Sequence, residues 1–380
     1  MTRRSNSGGE VYDVIVVGAG IQGLSSALQL ALRGRRVLVI EKDGPGKHAS
    51  GVNAGGVRSL WRDPAEIPLA LASLSMWHDI ETLLGTDCSY HSNGSLRIAE
   101  SDKDMARLEE RVAELAGLGY DHEEILGQNA LRALVPDVSP HCKGGLFSRH
   151  EGSASPFHAT WGFFKRARQE GADFLIGDAV SRIERASSGW CVHAGENKVQ
   201  AKFMVNCAGA WGGQVAQTIG DDVPLEMEAP TMMVTQRVPR FLGPVCGLVN
   251  RKLSFKQTDD GTVLIGGGHR GFVDLDAEVA TPDPLKLAFS AQTVADVFPL
   301  MRHVPIARTW CGIEGMTPDH LPVIGPSVAV QDAFHAFGFS AHGFALGPIV
   351  GCIIADLVTK GGTDIPIEPF AVDRFLNRDS

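Results

Sequence analysis

The sequence lacks an excess of positive charge. Its 380 residues include 35 Lys and Arg against 44 Asp and Glu, which gives a formal net charge of −9. Nucleic-acid-binding proteins draw much of their affinity from neutralising phosphates, so this balance argues against a nucleic-acid partner. An anionic substrate would need a local cluster of Arg or Lys to overcome the overall field.

Cysteine pairs at metal-binding spacing are also missing. The seven cysteines are scattered and never form Cys-x-x-Cys, which favours a reducing compartment and argues against a zinc site; no metal is expected. Residues 1–10 lack the apolar segment of a secretory signal, so a cytoplasmic location is predicted, with peripheral membrane association left open. The apolar run at 344–358 is shorter than a membrane span and contains Asp356, which indicates a buried helix rather than a transmembrane segment.

The remaining composition is that of an ordinary globular protein, apart from glycine. Hydrophobic residues make up 44% of the chain and charged residues 21%, and the length favours two domains. The 44 glycines follow no collagen-like period. They therefore indicate many backbone positions that need positive φ or close approach to a ligand.

Residues 14–40 predict a strand, a helix and a second strand. The segments 14–17 and 37–40 are continuous apolar runs rich in β-branched residues, as in a parallel sheet buried on both faces. Between them, Ile21–Leu32 repeats apolar residues at helical spacing and stops before Gly34. This βαβ unit predicts an α/β fold with a Rossmann-like domain.

The turn between the first strand and the helix is a complete Gly-x-Gly-x-x-Gly at 18–23. Its glycines suit a tight turn, close approach of a pyrophosphate, and close packing of helix on strand. Glu41 ends the second strand, where a carboxylate accepts hydrogen bonds from an adenosine ribose. The motif predicts dinucleotide binding but does not separate NAD from FAD.

Two further glycine-rich segments favour FAD. Residues 50–58 follow the second strand directly, where backbone with few side chains could line a ribityl chain or flavin ring. Gly343 opens an apolar helix with Pro348 near its start. The N-terminus of that helix could place partial positive charge against an anion that develops on a reduced flavin.

Farther along, helices are predicted near 66–84, 105–118 and 156–170, and strands near 95–98 and 173–183. Residues 230–271 are rich in strand patterns. No linker divides the chain, so the two domains are expected to interleave.

Together these segments resemble the FAD-dependent amine and amino-acid oxidoreductases, the family of D-amino-acid oxidase, glycine oxidase and sarcosine oxidase. The resemblance continues through 205–211, 317–325 and 337–344, and so covers nearly the whole chain. Residues 53–58 are most similar to the subgroup of hydroxyproline and proline dehydrogenases, opine oxidase subunits and cyanide-forming glycine dehydrogenases.

The resemblance implies that FAD lies along the first domain. The glycine turn would hold the pyrophosphate, Glu41 the ribose, 50–55 the ribityl and flavin, Val180 the adenine, and the start of the last helix the pyrimidine edge. The full expected set is Gly18, Ala19, Gly20, Ile21, Gln22, Gly23, Glu41, Lys42, Ser50, Asn53, Ala54, Gly55, Val180, Ala208, Gly209, Trp211, Gly312, Gly343, Phe344 and Ala345.

The same resemblance implies two interleaved domains. Residues 1–84, 145–221 and 309–380 are assigned to the FAD-binding domain. Residues 85–144 and 222–308 are assigned to a smaller α+β substrate domain, built on a mixed or antiparallel sheet that covers the flavin.

Four positions depart from the family. Glycine oxidase has two arginines that grip the substrate carboxylate, and this chain aligns Glu314 and Ala341 there. Sarcosine oxidase has a lysine over the flavin that serves oxygen activation, and apolar Leu264 aligns near it, which leaves oxidase activity open. Cys311 lies one position from the cysteine that attaches flavin covalently in sarcosine oxidase, so noncovalent FAD is favoured.

Candidate substrate-contacting residues follow from those departures. A substrate carboxylate must find other donors, such as Arg58, Arg62, Arg270 or His269; alternatively, Glu314 pairs with a cationic part of the substrate. His342 could bond substrate or the flavin carbonyl, or it could cap the helix or support the site from behind. The catalytic set is therefore Arg58, His269, Arg270, Glu314 and His342.

The implied activity is oxidation of the CH–NH bond of a small amine or amino acid to an imine, which water hydrolyses. Hydroxyproline, proline, sarcosine-like amines, opines and D-amino acids are candidate substrates. A non-catalytic FAD-bearing subunit and a hydroxy-acid dehydrogenase remain alternatives. The electron acceptor stays open among oxygen, a quinone and a redox partner, and so does assembly as a homo-oligomer or a hetero-subunit complex.

Overall fold

The computed structural model describes residues 11–376. Two eight-stranded sheets dominate it. The first, here called the nucleotide sheet, has a mainly parallel centre in which Val11–Val17 pairs with Val37–Glu41 on one side and Asn197–Asn206 on the other. Its path runs Val323–Pro326, Ala333–Phe337, Asn197–Asn206, Val11–Val17, Val37–Glu41, Asp173–Ile176, and the strands Gly189–Ala194 and Val180–Ala186 extend it antiparallel from Asn197–Asn206.

The second sheet, here called the covering sheet, is antiparallel except for one pair. Val245–Leu248 runs parallel to Ser95–Ala99. Its order is Ile306–Cys311, Thr231–Thr235, Val263–Gly266, Ser254–Gln257, Val245–Leu248, Ser95–Ala99, Gly144–Ser148, Glu124–Gly127. The described residues thus have the predicted α/β fold, with the nucleotide sheet and a second, mixed sheet.

Shorter strand pairs and the helices complete the described chain. The pairs are Glu226–Glu228 with Glu314–Met316, Phe272–Asp274 with Val279–Thr281, and Gly56–Val57 with Gly152–Ser153. The α-helices are Ile21–Leu32, Ala49–Val52, Ile67–His78, Ile80–Leu84, Asp102–Gly117, Gln128–Leu134, Pro156–Gln169, Gly212–Thr218, Pro284–Val297 and Gly343–Lys360. Single 3₁₀ turns are Pro64–Glu66, Gly209–Trp211, Pro299–His303, Glu368–Phe370 and Val372–Phe375.

The helix Ile21–Leu32, here called the glycine-turn helix, packs closely on Gly343–Lys360, here called the C-terminal helix. A Cβ at Gly351 would lie 2.1 Å from Oγ of Ser25, and a Cβ at Gly347 would lie 2.7 Å from Ile21. Glycine at both places lets the helices approach until almost all of their facing side chains are buried. The C-terminal helix is long and apolar enough to pass a length-and-composition test for a membrane span, but 72% of that window is buried inside the protein, as expected for a core helix.

Several boundaries differ from the sequence prediction. The helix near 66–84 is two helices, with the break at Asp79. The strand near 173–183 is also two, because Gly177 turns the chain at φ +92 between Asp173–Ile176 and Val180–Ala186. The C-terminal helix begins at Gly343 as predicted, and Pro348 lies inside it, past the first turn.

The strands also bear on the proposed domain boundaries. Gly144–Ser148 pairs within the covering sheet, although 145–148 was assigned to the FAD-binding part. Ile306–Cys311 also pairs within the covering sheet and crosses the proposed boundary at 308/309. The interleaved domain division stays a proposal with these two strands at its edges.

Candidate active site

The glycine turn has the geometry that its motif requires. Gly18 has φ +102, and a Cβ there would lie 2.4 Å from the carbonyl oxygen of Cys207. A Cβ at Gly23 would lie 2.0 Å from the carbonyl oxygen of Gly18. Any side chain at either position would push the first strand, its neighbour and the helix apart.

Glu41 is buried beside this turn. Its Oε2 accepts a hydrogen bond from the backbone N–H of Ala19 at 2.7 Å, and its Oε1 accepts one from Asp43 at 2.9 Å. The sequence predicted that Glu41 binds the ribose, but it did not predict these hydrogen bonds to the backbone. Because each carboxylate oxygen can accept more than one hydrogen bond, the contacts fix the orientation of the side chain and still leave acceptor capacity for a ribose hydroxyl.

A cavity of about 310 Å³ opens at the carboxyl ends of the central parallel strands. This is the edge of an open α/β sheet at which ligands bind. Nine of the residues expected to hold FAD line it, namely Gly18, Gly20, Glu41, Lys42, Ser50, Val180, Ala208, Gly209 and Trp211. Their contact with FAD stays a prediction, but the fold brings them to one place.

The mouth of this cavity contains a contact that sequence reasoning missed. Lys42 Nζ lies 3.3 Å from the centroid of the Trp211 ring and 2.5 Å from a carboxylate oxygen of Glu278. Glu278 belongs to the turn between Phe272–Asp274 and Val279–Thr281, here called the distal hairpin, and it also lines the cavity. No sequence motif marks the pair of Lys42 with Glu278, because these two residues lie more than 230 positions apart in the chain.

Residues 49–55 form a short helix and a turn rather than a bare loop. Ser50 Oγ accepts a hydrogen bond from the backbone N–H of Ile21 at 2.9 Å, which places Ser50 at the N-terminus of the glycine-turn helix. Asn53 Nδ2 donates to the carbonyl oxygens of Ala49 and Ser50, and its Oδ1 accepts from Gly55 N–H. The local fold therefore uses the Asn53 side chain, whereas the sequence expectation had it flanking the ribityl chain.

The C-terminal helix begins next to the glycine turn. Gln22 Nε2 donates to the carbonyl oxygen of Gly343 at 2.7 Å, while Gln22 Oε1 is buried without a hydrogen-bond partner. His342 occupies the N-cap position but makes no side-chain cap, so the first-turn N–H groups of this helix have no side-chain acceptor at the cap. Within the first turn, the carbonyl oxygen of Ala345 accepts hydrogen bonds from Ser73 and Trp77 on the helix Ile67–His78.

His342 and Arg58 lie in a buried group of charges. His342 Nδ1 is 2.8 Å from Oε2 of Glu66, which is fully buried. Burial and the nearby cations Arg62 and Arg58 lower the pKa of His342 to about 4, so the ring is neutral at pH 7. The Arg58 guanidinium donates to the carbonyl oxygen of Leu60 at 2.7 Å, and its pKa is lowered by burial.

This group holds more cations than its carboxylates neutralise. The acids Glu66, Glu123 and Glu151 face Arg58, Arg62, Arg97 and Arg111. Arg62 Nη1, Glu66 Oε1 and Glu151 Oε2 are buried without hydrogen-bond partners among residues 11–376. A cluster of this kind provides the local positive potential that an anionic group would need in an acidic protein.

Glu314 contacts the residue directly before His342. Its Oε1 accepts a hydrogen bond from the backbone N–H of Ala341 at 2.7 Å, and burial raises the pKa of Glu314 to about 7. Arg270 forms an ion pair with Glu228, which is the strand partner of Glu314. His269 follows the strand Val263–Gly266, and burial with Lys252 and Lys286 lowers its pKa.

The residues present fit FAD. The glycines form a cradle that a Cβ would fill, the two helix N-termini converge, and the buried Gln22 Oε1 lacks a partner between them. Gly312 lies against Val52, since a Cβ there would be 2.3 Å from that side chain, which brings the start of Glu314–Met316 next to the helix Ala49–Val52.

Comparison with known proteins indicates the same cofactor. A family model described as FAD dependent oxidoreductase (DAO) matches residues 13–357. Monomeric sarcosine oxidase of Streptomyces avermitilis is 30% identical, over 94% of this chain and 96% of the relative. Hydrogen cyanide synthase subunit HcnC of Pseudomonas aeruginosa is 26% identical, over 96% of both proteins. Among solved structures, L-proline dehydrogenase from P. horikoshii superposes with a TM-score of 0.90 at 26% identity, covering 97% of this chain and 98% of the other.

Proposed function

The chain belongs to the DAO family of FAD-dependent oxidoreductases, and on that premise we propose that it oxidises the CH–NH bond of a small secondary amine or D-amino acid. It is an FAD-dependent enzyme of amino-acid or amine substrates, like its sarcosine oxidase relative. Bound FAD supplies the electron-pair acceptor, so that the substrate leaves with a C=N bond that water hydrolyses. The protein has to bind, orient and dehydrate the substrate.

The observation that carries the proposal is the hydrogen bond between Glu314 and Ala341. These two positions align with the carboxylate-binding arginines of glycine oxidase, and here they bond to each other. A substrate carboxylate must therefore find a cation elsewhere. Arg58 is the best placed donor, because no described carboxylate lies within salt-bridge distance of its guanidinium and its one recorded hydrogen bond goes to a carbonyl.

His342 and Glu314 suit the opposite end of such a substrate. The His342 ring is held at Nδ1 by Glu66, and the structure records no partner for Nε2 among residues 11–376. Because the Glu66 carboxylate accepts at Nδ1, the neutral ring carries its proton there, and Nε2 can accept a hydrogen bond from the substrate amine. The second carboxylate oxygen of Glu314 could pair with a cationic nitrogen, and Arg270, already paired with Glu228, then serves to orient the strand behind it.

Anaerobic mixing of the holoenzyme with single substrates tests the proposal. The panel comprises proline, hydroxyproline, sarcosine, glycine, an opine, D-amino acids and α-hydroxy acids, and bleaching of the flavin absorbance is the readout. Bleaching by a secondary amine or a D-amino acid is expected, and Arg58→Met should raise the substrate concentration needed for it. Bleaching by α-hydroxy acids alone would instead assign a hydroxy-acid dehydrogenase, and no bleaching across the panel would assign a non-catalytic subunit.

The electron acceptor and the assembly of the chain are also part of this proposal. The acceptor of the electrons is oxygen, a quinone or a redox protein. Fast reoxidation of the reduced flavin in air indicates oxygen, whereas reoxidation by a dye but not by air indicates one of the other two. Assembly into a homo-oligomer or with other subunits is part of the proposal, because one relative is named as a subunit. Light scattering of the purified chain gives its oligomeric state in the absence of other subunits.

A further inference from the structure

Lys256 is a buried lysine in the covering sheet. It lies in the strand Ser254–Gln257, and its Cα partner on the next strand is Leu264. The preceding residue, Phe255, is fully buried in the hydrophobic core of this sheet. Because side chains alternate along a strand, Lys256 extends from the opposite face and is still only 8% exposed.

The ammonium group lies against the segment that follows the helix Ala49–Val52. Lys256 Nζ donates to the carbonyl oxygen of Ala154 at 3.2 Å. A Cβ at Gly55 would lie 2.9 Å from the same nitrogen, and Gly55 has φ +69. The backbone N–H of Ala154 donates to the carbonyl oxygen of Gly55. The segments that contain Gly55 and Ala154 are therefore joined to each other, and both lie against the Lys256 ammonium.

No described carboxylate neutralises Lys256. Asp259, the acid that acts on it most directly, is 63% exposed and is already paired with His91 and Arg240. Burial lowers the pKa of Lys256 to about 8. A buried ammonium without a carboxylate partner lowers the stability of the fold, so its position here indicates a group that acts on a ligand rather than one that stabilises the fold.

We propose that Lys256 is the cation in the wall of the flavin pocket that stabilises the negative charge placed on the FAD ring system by reduction. This inference rests on the proposed FAD-dependent function and on the expectation that residues 50–55 lie beside the flavin. It also revises the expectation from Leu264: the aligned position is apolar, but its cross-strand partner supplies an ammonium to the same face of the sheet.

The test is the two-electron midpoint potential of the FAD-loaded enzyme, measured by slow enzymatic reduction against a reference dye at pH 7. Three variants are compared with the parent: Lys256→Met, which keeps the volume and removes the charge, Lys256→Arg, which keeps the charge, and Lys198→Met, a matched loss of an exposed lysine. Lys256→Met should make reduced FAD at least tenfold less favourable relative to oxidised FAD. This change lowers the midpoint potential by about 30 mV for a two-electron couple. Lys256→Arg and Lys198→Met should stay within about threefold, or about 15 mV, of the parent.

The ratio of flavin to protein absorbance shows whether each variant is loaded. If Lys256→Met does not retain FAD, Lys256→Gln replaces it, since its amide can still donate to the Ala154 carbonyl without charge. An unchanged midpoint potential in Lys256→Met or Lys256→Gln that retains FAD overturns the proposal. An equal lowering of the potential in Lys198→Met also overturns it. The measurement needs no amine substrate, so a failure of the proposed function appears separately, as an unbleached flavin in the parent enzyme.

Discussion

The carboxylate of Glu314 holds the backbone N–H of Ala341 at 2.7 Å, directly before the C-terminal helix. Ser340 and Ala341 both have positive φ, of 48 and 70. Non-glycine residues adopt this region at a cost, and they keep it where neighbouring contacts determine the backbone. The Glu314 side chain therefore stabilises the turn that brings His342 and Gly343 to the site.

Replacing Glu314 by Ala should loosen this turn, whereas Gln should largely keep it, because the amide oxygen of Gln still accepts the hydrogen bond. We expect Glu314→Ala to lower the free energy of unfolding by about 1 kcal/mol and to weaken FAD binding. Urea unfolding and flavin fluorescence titration measure the two effects. Equal behaviour of the Ala and Gln variants would show that the hydrogen bond does not matter to the turn.

Glu314 should also make stability depend on pH. Its folded pKa, raised by burial to about 7, lies above the ordinary value of 4.5, so the folded state binds the proton more tightly than the unfolded chain. The stability this provides is fully present below about pH 4.5 and is lost as the pH rises through about 7. From pH 5 to pH 8 the parent should lose stability relative to Glu314→Gln, as measured by urea unfolding of both proteins at each pH. Parallel curves would contradict the raised pKa.

The sequence was enough to predict the βαβ unit and the glycine turn, because both are encoded locally. Strand periodicity, the three glycines and the acid at Glu41 follow one another within thirty residues. The break at Gly177 was missed because apolar strand patterns continue on both sides of it. The helix starting at Asp102 was predicted to start later, although Ser101 and Asp104 form a capping box there.

Gly18→Ala should prevent FAD binding. The new Cβ would lie 2.4 Å from the Cys207 carbonyl oxygen, and φ +102 is unfavourable for any side chain. Backbone strain of this kind costs about 1 to 3 kcal/mol, and relief would move the strands that line the cavity. The ratio of flavin to protein absorbance after reconstitution with excess FAD is the measurement.

Gly34→Ala is the matched control, because Gly34 also has positive φ, +75, but nothing lies within 4 Å of the added Cβ. It should cost about 1 kcal/mol of stability and leave FAD content unchanged. If both variants lose FAD alike, general destabilisation rather than the cradle explains the effect.

The charged contacts of the site could not be predicted from the sequence, since they join segments far apart in the chain. Glu66 with His342 and Glu228 with Arg270 are pairs of this kind. Neither acid lies in a recognisable motif. Asn53 shows the reverse case, because it lies in a motif but its side chain folds back on its own turn.

Glu278→Gln should speed the release of FAD. It removes the charge that pairs with Lys42 at the mouth of the cavity, so the distal hairpin loses its ion pair with Lys42. Both groups are partly exposed, so the pair is worth no more than about 1 kcal/mol, and a dissociation rate about two- to fivefold faster is expected. Stopped-flow fluorescence after dilution measures this rate.

Salt and a second acid provide the controls for that prediction. High ionic strength should raise the parent's dissociation rate towards that of Glu278→Gln, because it screens the same pair. Glu196→Gln removes an exposed carboxylate for which no ion pair is recorded among the described residues and should leave the rate unchanged. A parent rate that does not respond to salt would mean that the hairpin is held by other contacts.

FAD should be released completely when the protein is denatured in acid, because the Cys311 thiol is held within the covering sheet. Its Sγ lies 3.6 Å from Oγ1 of Thr231, and burial raises its pKa, so the reactive thiolate is disfavoured. After acid precipitation, all flavin absorbance is expected in the supernatant, and Cys311→Ser should retain as much FAD as the parent. Yellow precipitate in the parent that disappears in Cys311→Ser would instead show a covalent bond at this position.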